Sequence, residues 1–146
     1  MSQRDKLLAV VDDDLQQDQG DYLALRELMQ AQYGHLLARD VSEIDQANLK
    51  ISSRVESLSA RAGRRSKVLA AFGLEPTAAG MQRLLAASTG GRGESLRRQW
   101  QRVGELAAEC QQLNERNGKL LAMHHEILQQ LLAGSQSNPL YTHQAY

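Results

Sequence analysis

Residues 8–45, LAVVDDDLQQDQGDYLALRELMQAQYGHLLARDVSEID, decide the fold class. Apolar side chains return every seventh residue, at Leu8, Leu15, Tyr22, Met29 and Leu36. The core positions between them are filled less well, by Val11, Asp18, Leu25 and Gln32. This is the pattern of a helix with a narrow apolar seam, packed as in a coiled coil or a long bundle. The pattern breaks at ARDVSEID. Asp40 is the expected N-cap of a second helix, with Glu43 as its capping-box partner. The turn is short, so the two helices should lie antiparallel.

Working outward, the second helix has a seam of Ile44, Ile51 and Leu58, with Val55, Ala62 and Leu69 between. It ends at Phe72, with Gly73 at C′ and Pro76 beyond. Each of these helices spans roughly 30 residues, or about 45 Å. Residues 77–87 make a short helix with Thr77 as cap, and STGGRG (88–93) reads as a flexible loop. A third long helix begins near Ser95. Its seam runs through Leu96, Trp100, Val103, Leu106 or Ala107, Cys110, Leu113, Asn117, Leu120 or Leu121, His124, Leu128 and Leu131, and Gly134 ends it. The expected fold is all-α: three long helices in an antiparallel coiled-coil-like bundle, with a short extra helix and a disordered C-terminal tail. The helices fall at about 3–38, 41–72, 77–87 and 95–133, in one domain of residues 1–133 with a tail of 134–146.

Composition agrees with thin helices. The chain has 146 residues, one Phe, one Trp and two Pro, and no β-branched runs, which disfavours a sheet with a large core. A single cysteine, Cys110, excludes an internal disulfide. The N-terminus shows no secretory signal, and no run of 18 apolar residues occurs, so a soluble cytosolic protein is expected.

Net charge is zero, but the signs are segregated. Residues 1–45 carry four Lys or Arg against ten Asp or Glu; residues 46–103 carry eleven against three. A basic middle is a nucleic-acid footprint, through Arg61, Arg64, Arg65, Lys67, Arg97 and Arg98. No aromatic residues interleave with them, as a base-stacking surface needs. The plainer reading lays an acidic first helix beside a basic second one.

Chemistry is hard to find. His124 and His125 are adjacent, face about 100° apart on a helix, and do not chelate together. STGGRGES lacks the GK[ST] ending and the preceding strand of a phosphate loop. Cys110 on a seam reads as a small buried hydrophobe. Asp12, Asp13 and Asp14 read as a solvated face, and Trp100 as a core anchor. No metal, cofactor or catalytic residue is expected, which leaves a binding module.

The stretch CQQLNERNGKLLAMHHEILQQLL (110–132) carries the most specific signal. Asn114, Asn117 and Gly118, all poor helix formers, sit in the middle of a helical pattern. They read as a hinge or register mark; the alternative is that the asparagines bridge to neighbouring helices and Gly118 sits at a tight crossing. Together with Trp100, Cys110, Leu113, Leu121 and the weaker Phe72-Gly73-Leu74, this stretch resembles the FlgN family along nearly the whole chain. Its N-x-x-N-G core matches at Asn114, Asn117 and Gly118. Leu140-Tyr141 is similar to a Tyr frequent near the family's C-terminus, although Thr142-His143-Gln144 departs from the usual ending.

The resemblance implies a cytosolic export chaperone of the bacterial flagellar type III secretion system. Such proteins bind the C-terminal helical segments of hook–filament junction (hook-associated) proteins, prevent premature self-association and bring them to the export apparatus. The implied client-binding residues are Asn117, Gly118, Leu120, Leu121, Met123, His124, Ile127, Leu128, Leu131, Leu132, Leu140 and Tyr141, in a helix-in-groove mode. No nucleic acid and no membrane insertion are implied, and without client the protein can pair with itself as a homodimer. A self-associating coiled-coil adaptor is the rival reading.

Overall fold

The computed structural model describes residues 2–135. It contains α1 (Gln3–Ala38), α2 (Val41–Ala71), α3 (Ala78–Ala87) and α4 (Gly90–Ser135), and no strand among the described residues. The helix ends are set by local chemistry. Ser2 and Asp5 form a reciprocal capping box at the start of α1. Arg39 closes α1 in the left-handed region, at φ 53°. Asp40 caps α2, its carboxylate accepting from the Glu43 N–H at 3.2 Å. The return half of that expected box is not made. The Asp40 N–H is taken by the His35 carbonyl at 3.0 Å, and the Glu43 carboxylate faces the His35 ring, 3.8 Å away.

The end of α2 is a Schellman motif. The Leu74 N–H reaches the Leu69 carbonyl and the Gly73 N–H the Ala70 carbonyl, both at 2.9 Å, with Gly73 at φ 72°. Leu74 then packs back on the core. Thr77 caps α3, accepting from the Gly80 N–H at 3.2 Å.

The glycine-rich segment 88–93 is not the expected loop. α4 begins at Gly90, five residues before Ser95, and runs through Gly134 to Ser135. Gly93 lies so close to the connection that a Cβ there would meet the Ser88 carbonyl oxygen at 2.5 Å. The glycines thus allow a tight joint between α3 and α4 rather than slack. Arg97 reinforces the joint, donating to the Leu85 and Ser88 carbonyls at 2.9 and 3.1 Å.

α1 is the central helix. α2 and α4 both pack along it, and no Cα of α2 comes within 8 Å of one in α4. α2 runs antiparallel to α1, as Asp14–Arg64 at one end and Gln32–Asn48 at the other require. α4 runs parallel to α1, from Asp12–Arg92 to Gln32–Asn117. The expectation that Val55 and Ala62 fill the α2 seam fails, since both are exposed. The buried residues of α2 are Ala47, Arg61, Val68 and Leu69.

The apolar core is uneven. The larger cluster gathers Leu8, Val11 and Leu15, Val68 and Leu69, Met81, Leu84 and Leu85, and Leu96 and Val103, drawing on all four helices. The second has only Leu25, Met29 and Cys110 at its centre, with Ile51, Leu58 and Leu113 against it. Full burial of one such side chain stabilises by about 1.5–3 kcal/mol, so most of the apolar stabilisation sits at the α3 end.

Between and beside these clusters runs a ladder of ion pairs that accounts for the segregated charges. Asp14 takes Arg64 bidentately at 2.6 and 2.7 Å. Asp18, buried on the α1 seam, takes Arg61 at 2.6 Å and Arg65 at 3.0 Å. Asp21 takes Arg54 at 2.7 Å and also Arg61. Asp12 receives Arg92 at 2.9 Å and the Ser95 hydroxyl at 3.2 Å. The solvated-face reading of residues 12–14 therefore holds only for Asp13, which is exposed; Asp12 and Asp14 are buried. Of the candidate phosphate-binding set, Arg61 and Arg65 are held within the bundle, and Arg64 and Arg97 are exposed but paired, with Asp14 and with the Leu85 and Ser88 carbonyls.

Candidate binding surface on the outer half of α4

The seam of α4 is covered as far as Asn117. Leu96, Val103, Leu106 and Cys110 are buried, and the Cys110 thiol points at the Tyr22 carbonyl, 3.5 Å away. Burial, and then the charge of Glu109, push that thiol's pKa up, which suits an inert packing role and not a nucleophile. Trp100 is half-buried at the edge of the larger cluster, with the Arg65 guanidinium 5.5 Å from its ring centre.

Asn117 closes the covered part. It is 3% exposed, and its amide donates to the Met29 carbonyl and to Gln32 Oε1, both at 2.8 Å. Beside it the Arg116 guanidinium lies 3.8 Å over the Tyr33 ring. Asn117 thus bridges to α1, and α4 is continuous through residues 114–118. Asn114 and Gly118 are exposed, and a Cβ at Gly118 would meet nothing within 4 Å, so no tight crossing explains that glycine.

Past Asn117 no described residue of α4 is buried. Leu121 is 58% exposed, Met123 55%, Leu128 49% and Ile127 38%; Leu131 is exposed as well. Leu120, His124 and Leu132 are half-buried. The parallel register explains the change. Gln32 lies opposite Asn117, and α1 ends only six residues later, at Ala38, while α4 runs on to Ser135. At 1.5 Å per residue the overhang beyond the end of α1 is about 20 Å. This uncovered apolar surface makes the outer half of α4 the candidate binding surface.

The family model described as FlgN protein matches residues 2–145. The chain belongs to the FlgN family. No curated protein and no solved structure matches the chain. FlgN proteins are flagellar chaperones, with hook-associated proteins as clients and the export apparatus as a further partner.

Of the residues implied by the FlgN resemblance, the structure places Met123, His124, Ile127, Leu128, Leu131 and Leu132 at or beyond the end of α1, and Leu120 and Leu121 beside its last turn. Asn117 is the exception, held inside the bundle. Leu140 and Tyr141 lie outside the described residues. Among the described residues no helix is long and apolar enough to cross a membrane, and no group of three potential metal ligands lies together. The sequence reading missed the clamp that ends the covered half: Gln32 and Arg116 with Tyr33. The available signal was Gln32 itself, a polar residue on the α1 seam that needed a partner.

Proposed function

We propose that this FlgN-family chain is a cytosolic export chaperone whose outer α4, residues 119–135, holds the C-terminal helical segments of hook-associated proteins. It keeps them from associating with one another and carries them to the export apparatus. One observation carries this reading: α4 outruns α1 and presents Leu121, Met123, Ile127 and Leu128 uncovered. An amphipathic client helix has the complementary need, an apolar stripe that must be shielded until assembly. Asn117 acts in this reading as the register mark between the half of α4 that builds the bundle and the half that binds.

Calorimetric titration with a C-terminal peptide from a hook-associated protein of the same organism tests the proposal. One-to-one binding is expected, weakened at least tenfold by the Leu121→Gln/Leu128→Gln pair. Absence of binding by the unaltered chain, together with a fixed oligomer in solution, would favour the self-associating adaptor instead.

A further inference from the structure

Every seventh residue of α4 from Leu96 lies inside the bundle. Leu96, Val103, Cys110 and Asn117 are all buried, and the last two reach the Tyr22 and Met29 carbonyls of α1. A second line follows three residues after each of Val103, Cys110 and Asn117. In it Leu106 is buried, and Leu113 and Leu120 are half-buried. These are the a and d positions of a heptad seam, filled in the inner half by one helix, α1. The pattern does not slip where α1 stops. Its next members are His124, Ile127 and Leu131, and exposure climbs to 38% at Ile127 and 64% at Leu131. Leu121 is exposed although α1 still runs beside it, because it stands one position past the seam, as the exposed Asn114 does seven residues earlier.

The last turn of α1 carries an apolar residue that the bundle leaves uncovered. Leu37 is 57% exposed. It lies 18 residues from Gln19 and 11 from Arg26, about five and three turns, so the three share one face of α1. Gln19 bonds to Gln99 of α4, and Arg26 to Glu109 at 2.7 Å. Leu37 therefore carries the α4-facing flank of α1 to its end. Gln32 lies opposite Asn117, which sets Leu37 at the height where the open part of the seam begins.

Building on the chaperone reading, we infer that Leu37 is a client-binding residue. A single client helix takes the place of α1 on the outer seam, over His124, Ile127 and Leu131, and its inner end packs against Leu37. The tip of α1 then fixes how far the client slides toward the bundle. An a/d seam is the width that one helix fills, and this one continues the α1–α4 interface without a change of register. From His124 to Ser135 it offers about three turns, or about 17 Å. The flanking positions, charged in the inner half at Glu109 and Arg116, are Met123 and Gln130 here, so the client stripe needs no complementary charge. His124 sits on the seam beside the stop, and the client places one hydrogen-bonding side chain there, as Gln32 of α1 does at Asn117.

The test titrates the full chain and three variants, Leu37→Gln, Leu131→Gln and Leu49→Gln, with a C-terminal peptide from a hook-associated protein of the same organism. Leu49 is the control. It is 73% exposed and stands two residues from both Ala47 and Ile51, which pack inward, so it lies on the far side of α2. Leu37→Gln and Leu131→Gln should each weaken binding about fivefold and Leu49→Gln by less than about twofold, with the denaturant midpoint unchanged in all three. Unchanged affinity in the Leu37→Gln chain overturns the inference; a loss in Leu131→Gln then leaves the chaperone reading intact. Equal losses in Leu37→Gln and Leu49→Gln also overturn it, because the effect is then not one of place. If sedimentation shows a dimer that Leu37→Gln and Leu131→Gln dissociate while client affinity is unchanged, the occupant is a second copy. No binding of the peptide to the unaltered chain defeats the chaperone reading itself.

Discussion

Asn117 and Gly118 are neighbours with opposite roles. Asn117 is buried and makes two hydrogen bonds to α1. Asn117→Ala should cost about 1–3 kcal/mol in denaturant unfolding, because it removes a buried polar group and leaves Gln32 without that partner. Gly118 is exposed with open space around its Cα. Gly118→Ala should therefore stabilise by about 0.5–1 kcal/mol, the ordinary gain in a helix interior. If that stabilised chain binds client as tightly as before, Gly118 contributes no hinge; lower affinity would show that bending at Gly118 matters for binding. Gly80 is the contrasting glycine. A Cβ there would lie 1.8 Å from the Glu75 carbonyl oxygen, so Gly80→Ala should lower stability by about 1–3 kcal/mol through displaced backbone at the start of α3.

The elements show what a sequence can and cannot disclose. The heptads of α1 gave its core line directly, since Leu8, Leu15, Met29 and Leu36 are all buried. Asp18 and Gln32 broke the apolar pattern yet are covered, because α2 and α4 offer Arg61 and Asn117 at matching heights. That pairing depends on the relative sliding of helices far apart in sequence, which periodicity within one helix does not encode. The same blindness made Asp12 and Asp14 look solvated. It also made segment 88–93 look slack, because glycine required by close approach reads the same as glycine in a loop. The outer α4 was legible as a wide apolar stripe, but where cover ends depends on α1 stopping first. The α1–α2 ladder carries a pH prediction. Burial pushes the Asp21 carboxyl up, but hydrogen bonds from Arg54 and Arg61, with their charges, outweigh it and hold the pKa below the ordinary carboxylate value. A carboxylate with a lowered folded pKa adds stability that is complete above its unfolded pKa of about 3.9 and is lost as pH falls through the folded value. Acid unfolding of Asp21→Asn should lack that component, so its stability should fall less steeply below about pH 4 than that of the unaltered chain. Equal slopes would remove Asp21 from the account.

At the scale of the whole molecule the design is a gradient. Four helices meet in the larger cluster, a thinner cluster and the ion-pair ladder follow, and α4 then continues alone. Stability concentrated at one end leaves the other free to exchange partners without unfolding the bundle. The most direct test of this arrangement is amide hydrogen exchange along α4, with and without the C-terminal segment of a hook-associated protein. In the free protein, amides between Leu96 and Asn117 should be slow and those of 119–135 fast; client should slow 119–135 and leave the inner half nearly unchanged. Protection appearing on α1 and α2, with 119–135 exchanging as before, would contradict the assignment of the binding surface to outer α4.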